Sequence, residues 1–269
     1  MSAHKSVSTT DLSYAAAKVP AITVVFWVIK VLTTGMGEAA SDYLGNTNLA
    51  LAGVVGVGGL VLSLRWQLRT TRYQAAAYWS AVAMVAVFGT MAADLVHVIL
   101  GVPYVASTTF YGIVLAVVLV LWYRSEGTLS IHSITTRRRE LFYWATVLAS
   151  FALGTAAGDL TAASLHMGFF RSGLLFGAMI LVPLVAWWRF GLNEVTAFWT
   201  AYILTRPLGA SFADWFGKPP RITGLGYGDG TVTWILVAAI VVLVGWVATT
   251  EHGVQSASVG EPDLETEPA

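Results

Sequence analysis

Four aspartates in this sequence fall at one fixed place in a recurring pattern. Asp42, Asp94, Asp159 and Asp214 each close an apolar run that opens on an aromatic residue and a tryptophan: Phe26-Trp27, Tyr78-Trp79, Tyr143-Trp144 and Phe198-Trp199. The interval never changes. Nine residues lead to a glycine (Gly37, Gly89, Gly154, Gly209), and four more lead to the aspartate. Glu38 adds a fifth carboxylate, in the first copy alone. A carboxylate at bilayer depth costs about 2.5–3.5 kcal/mol on insertion scales, so such groups face one another or a wet cavity, where they bind cations or carry protons.

Positions three, four and seven apart share a helix face. On the aspartate face this places Glu38, Thr90, Thr155 and Ala210 four residues before each Asp, and Ser211 three before Asp214. His97 lies three after Asp94, and His166 seven after Asp159. The candidate cation ligands are therefore Glu38, Asp42, Asp94, Asp159 and Asp214, with His97 and His166 at the outer end and the hydroxyls of Thr90, Thr155 and Ser211 in support. Hard divalent ions such as Mg²⁺, Ca²⁺ and Mn²⁺ prefer oxygen, and imidazole tilts the choice toward Mn²⁺ or another first-row metal. Either histidine can equally sit at the interface, bonded to a loop. Lys30 and Arg206, also within apolar runs, are the expected counter-charges of the acidic ring when no cation is bound. The rival reading is that the aspartates only fix packing, through interhelical hydrogen bonds or pairs with Lys30 and Arg206. Five carboxylates against two bases argue against it.

The elements that must position these groups are membrane helices. The chain has 269 residues, 56% hydrophobic and 11% charged, with a mean hydropathy of +0.69, outside the range of soluble globular domains. Its formal net charge is zero, so nothing argues for nucleic acid as a partner. There is no cysteine, which excludes disulfides, thiolate metal sites and thiol nucleophiles. At roughly 20 apolar residues per crossing, eight spans are predicted at 20–44, 48–66, 76–100, 104–123, 139–163, 168–188, 194–216 and 230–249. A polar segment (1–19) precedes this transmembrane domain (20–249), and an acidic tail (250–269) with no apolar periodicity, expected to be disordered, follows it. Lys5, Lys18, Arg65, Arg69, Arg72, Arg124, Arg137 to Arg139 and Arg189 fall on one side, so the positive-inside rule makes both termini cytoplasmic. Trp66, Trp122, Trp187 and Trp188 gather at that side as interfacial anchors.

Since each pattern is followed by a second apolar run, the unit is a helical hairpin, and the fold class is all-α: four parallel hairpin repeats, at about 20–66, 76–123, 139–188 and 194–249. The repeated glycine lets a neighbouring helix pack close. The repeated tryptophan is an interfacial anchor or a packing wedge. At about 1.5 Å per residue each Asp lies ~22 Å along its helix from the Trp, beneath an outward-facing mouth. Pro207 in the fourth copy marks either a broken helix at a binding site or a plain kink. The stretch "GLGYGDG" (224–230) looks like a potassium-channel filter, but it occurs once with no pore helix ahead of it, and is read as an outer loop.

The segments "KVPAITVVFWVIKVLTTGMGEAASDYL", "FGTMAADLVHV", "FYWATVLASFALGTAAGDLTA" and "TRPLGASFADWFGKP" resemble a family of bacterial uncharacterised membrane-anchored proteins built from four copies of a repeat of unknown function. The resemblance spans 18–249. It implies a bacterial inner-membrane location and transport, with an association to manganese, and it supplies no site residues. The reading that results is a proton-coupled transporter or exporter of a small cation, most plausibly manganese. The cation is its substrate, the bilayer its surroundings; no resident cofactor is expected, and a homo-oligomer stays open. The alternatives are a membrane redox component in which His97 and His166 ligate a haem, or a structural or sensory membrane protein. No H-E-x-x-H, P-loop or serine triad supports an enzyme.

Overall fold

The computed structural model describes residues 17–250, so most of the polar N-terminal segment, and the acidic tail beyond Thr250, lie outside the described residues. Among the described residues there are eight long helices and no strand: α1 (Val24–Thr47), α2 (Leu49–Arg69), α3 (Ala75–Asp94), α4 (Tyr104–Glu126), α5 (Arg137–Asp159), α6 (Gly168–Phe190), α7 (Glu194–Gly217) and α8 (Asp229–Thr250). Their ends follow local chemistry. Thr23, Asn48, Thr136 and Asn193 cap α1, α2, α5 and α7 by accepting from first-turn backbone N–H groups. Asn48 is also the C-cap of α1, so the first hairpin turns on a single residue. Gly127 and Gly191, at φ 69°, release the chain after α4 and α6.

All the long helices except α7 are long and apolar enough to cross a membrane. α7 has Arg206, Pro207 and Asp214 in its second half, yet it matches the 24 residues of α1 and is enclosed by α1, α5 and α6. The chain is an all-α, polytopic membrane protein.

The odd-numbered helices form the interior. In the apolar stretches of α1, α3 and α5, 67%, 50% and 67% of residues are buried, against 17–22% in α2, α4, α6 and α8. Side chains that alternate between lipid and a neighbouring helix belong outside; those enclosed all round belong inside. The four inner helices close a ring, α1 on α3, α3 on α5, α5 on α7 and α7 back on α1. The outer helix of each hairpin lies mainly on the inner helix of the next: α2 on α3, α4 on α5, α6 on α7, and α8 on α1.

The repeated residues obey the same hand-over. Each motif aromatic packs on the tryptophan of the following copy: Phe26 on Trp79 at 5.7 Å between ring centres, Tyr78 on Trp144 at 5.6 Å, Tyr143 on Trp199 at 6.0 Å, and Phe198 on Trp27 at 5.7 Å. Trp79, Trp144 and Trp199 are buried, so the repeated tryptophan is a packing wedge. Trp122, expected as an interfacial anchor, is fully buried between Phe142 and Trp199, whereas Trp66, Trp187 and Trp188 are exposed.

The motif glycines are where the inner helices meet. A methyl group on Gly37, Gly89, Gly154 or Gly209 would lie 2.7 Å from the Ala86 carbonyl carbon, 2.7 Å from Phe151 Cβ, 2.5 Å from Arg206 Cβ and 2.8 Å from Thr34 Cβ respectively. Ala86, Phe151, Arg206 and Thr34 all stand eight residues before the aspartate of the next copy. Gly154→Ala is expected to cost about 1–3 kcal/mol by overpacking, read as a lower thermal midpoint of the detergent-purified protein. Gly58→Ala, whose added methyl meets nothing within 4 Å, should leave the midpoint unchanged.

At the aromatic end a buried ion pair straps the chain. Lys18 Nζ donates to Glu140 Oε2 at 2.6 Å, and Gln67 Nε2 donates to Glu140 Oε1 at 3.0 Å. Lys18, expected only as a topology charge, thus ties the N-terminal segment to α2 and α5.

Candidate functional site

The position four residues before the aspartate brings three copies to one point. Glu38 from α1, Thr90 from α3 and Thr155 from α5 all meet the guanidinium of Arg206 from α7. Its Nη2 is 2.5 Å from Glu38 Oε2 and 2.7 Å from Thr155 Oγ1, and it also donates to Thr90 Oγ1. Nη1 donates to the Thr34 carbonyl at 3.0 Å. In the fourth copy the corresponding residue is Ala210, and Arg206, one turn earlier, reaches the same layer. Arg206 and Glu38 are 0% and 3% exposed, so the pair has no solvent to fall back on. Arg206 thus forms an ion pair with Glu38 of the acidic group.

Lys30 does not reach that group. Its Nζ lies over the rings of Phe151 and Tyr202, 4.2 and 4.1 Å from their centres, with no hydrogen-bond partner among the described residues. One turn of α1 separates it from Thr34, and the aromatic faces hold it there by cation–π attraction.

Nearer the chain's other face, ligand oxygens of Glu38, Asp42 and Asp214 lie within 4.8 Å of one another. Beside Asp42 and Asp214 stands a cation, Lys218, which the predicted spans leave in a loop. Its Nζ is 2.5 Å from Asp42 Oδ2, 3.5 Å from Asp229 Oδ2 and 4.0 Å from Asp214 Oδ1. Burial works against the charge of Lys218, but the carboxylates of Asp42, Asp214 and Asp229 outweigh it and hold the ammonium above its ordinary range. The glycine-rich loop after α7 arranges this. Leu225, Gly226, Tyr227 and Gly228 donate their N–H groups to the carbonyls of Trp215, Lys218, Phe216 and Gly217. Gly226 and Gly228 take φ of 83° and 86° to do so, and the loop delivers Asp229 to Lys218. The signal available in sequence was the i, i+4 spacing of Asp214 and Lys218; Asp229 had none.

Asp94 and Asp159 behave differently. Each is half-buried, and their side chains make no hydrogen bond or ion pair among the described residues. Both are followed by a π-helical turn, Leu95–Ile99 and Leu160–Ser164, whereas α1 and α7 continue as regular α-helix past Asp42 and Asp214. Such widened turns concentrate at functional sites. The histidines are held locally and are not brought to the cluster. His97 shares a hydrogen bond with the Val102 carbonyl at 2.7 Å and stacks on Tyr104; His166 is exposed at φ 55°, its Nδ1 2.6 Å from the Ala163 carbonyl. The oxygen of Ser211 is buried beside α5, without a hydrogen-bond partner among the described residues. α7 runs unbroken through Pro207. What the arrangement offers chemically is an oxygen-only nest with more negative than positive charge, suited to a hard cation.

Residues 25–73, 77–128, 142–192 and 197–252 each match the family described as Repeat of Unknown Function (DUF347). The chain belongs to the DUF347 family. Each DUF347 copy begins within a few residues of its aromatic–tryptophan pair and takes in the inner helix and the outer helix behind it, so the family unit is the hairpin. The four DUF347 copies share glycine and aspartate and differ in what surrounds them: Lys30 and Glu38 in the first, threonines and π-turns in the second and third, Arg206, Pro207 and Lys218 in the fourth. No curated protein and no solved structure matches the chain.

Proposed function

We propose that this chain carries a hard divalent cation across the membrane, Mn²⁺ being the ion of first choice, through the carboxylates Glu38, Asp42 and Asp214 with Asp94 and Asp159 as the approach. The observation that carries the reading is the state of Asp94 and Asp159. The repeat places a carboxylate there in both copies, yet neither side chain is used to hold helices together, so packing does not account for them. The oxygen-only composition of the cluster supports a hard ion over a soft one.

In this reading the chain lies in a bacterial inner membrane with both termini cytoplasmic, the aspartate end faces outward, and the carboxylates return protons in exchange for metal. Arg206 forms the floor of the site and the Trp-lined end its seal. Purified protein in liposomes is expected to accumulate Mn²⁺ when an opposing pH gradient is applied. Vesicles that show neither Mn²⁺ entry nor Mn²⁺ binding would sink the proposal.

A further inference from the structure

The Lys218 ammonium already sits where a cation would sit. Resting on the carrier reading above, we infer that Lys218 is a tethered competitor ion, which fills the cluster at rest, leaves when the divalent ion enters, and thereby selects ions by charge. Its root is fixed: the Lys218 N–H donates to the Asp214 carbonyl at 2.8 Å, and its own carbonyl accepts from Gly226 at 2.8 Å. Its tip is not. The side chain is 19% exposed and beside Asp42 at 20%, so a flexible four-carbon stem can swing the ammonium out without moving the backbone. Three carboxylates, Asp42, Asp214 and Asp229, surround this one charge. Asp214, 4% exposed, keeps its Oδ1 buried and without a hydrogen-bond donor among the described residues, an oxygen that the ammonium neutralises only at 4.0 Å.

The selectivity follows from charge balance. A sodium or potassium ion entering the cluster would replace one positive charge with another, and it would have to compete with a group whose tether gives it an effective concentration of about millimolar or more. A divalent ion brings one charge more than it displaces. Its gain grows with the negative excess, while the cost of ejecting Lys218 stays the same. Lys218 thus lowers affinity for every ion but excludes the monovalent ones.

The test is Mn²⁺ titration of the detergent-purified full chain, with and without 100 mM sodium in place of a bulky organic cation. Wild type is expected to bind Mn²⁺ with little dependence on sodium. Lys218→Gln is expected to bind Mn²⁺ about tenfold tighter or more and to lose that gain when sodium is present; Lys218→Arg should keep the wild-type pattern. If Lys218→Gln is not recovered folded, the charge-balanced Lys218→Gln/Asp229→Asn pair takes its place with the same expectation. Unchanged or weaker Mn²⁺ binding in the neutral variant overturns the inference. Asp42→Asn/Asp214→Asn separates the two levels: if it loses Mn²⁺ while Lys218→Gln gains nothing, the carrier site stands and the competitor does not, and if it binds Mn²⁺ as wild type does, the carrier site itself is misplaced.

Discussion

Arg206→Met is expected to lower the stability of the detergent-purified protein by about 3–5 kcal/mol, the range for removing one partner of a buried ion pair. Methionine keeps most of the stem that packs against Gly154, so the loss isolates the guanidinium. Without it Glu38 is left charged and 3% exposed, Thr155 and the Thr34 carbonyl lose their donor, and three helices lose the group at which they meet. The same logic gives the control. Arg206→Met/Glu38→Gln removes both charges and is expected to recover most of the lost midpoint, because the penalty comes from the unpaired carboxylate. Arg206→Lys is expected to recover little, since one ammonium cannot reach all the acceptors that the planar guanidinium serves. A thermal melt in which Arg206→Met matches wild type, or the double variant is no better than the single, removes Arg206 as the hub.

The opposite profile is expected at the mouth. Asp94→Asn/Asp159→Asn should leave the thermal midpoint within a degree or two of wild type, as neither side chain has a partner to lose, while Mn²⁺ flux into vesicles falls by about tenfold or more, equivalent to about 1.4 kcal/mol. Asparagine keeps shape and removes charge, so flux and stability are separated in one variant. Undiminished flux would take Asp94 and Asp159 out of the ion's path. A large fall in midpoint would show instead that they hold the bundle together.

Much of this architecture is legible in the sequence because the repeat is ungapped. A constant interval from Trp to Gly to Asp means that whatever face one copy presents, the others present too, and the convergence of Glu38, Thr90 and Thr155 follows from their common position. What spacing does not give is where a long side chain ends. Lys30 and Arg206 both sit among apolar residues, yet Arg206 turns into the threonine and carboxylate layer while Lys30 settles between Phe151 and Tyr202. Lys218 was missed for a different reason. Sorting residues into spans and loops treats a loop lysine as solvated, and its contact with Asp42 joins positions 176 residues apart, brought together by a glycine loop folding back on α7. His97 and His166 share the predicted helix face, but local hydrogen bonds from their Nδ1 atoms to the Val102 and Ala163 carbonyls orient the rings, and spacing does not give those bonds.

The hand-over of each outer helix to the next inner one also has a bearing on how the chain comes to exist. Contacts passed head to tail either run on as a fibre or close on themselves, and here α8 meets α1. Of the eight long helices described, α1 is made before the rest and its neighbour α8 after them, so one flank of α1 waits through the synthesis of everything between. A nascent chain of one, two or three hairpins has an unfinished seam at both ends. Deleting a hairpin would remove contacts that both of its neighbours make, whereas joining the old ends and beginning the chain at another hairpin would keep every one of them.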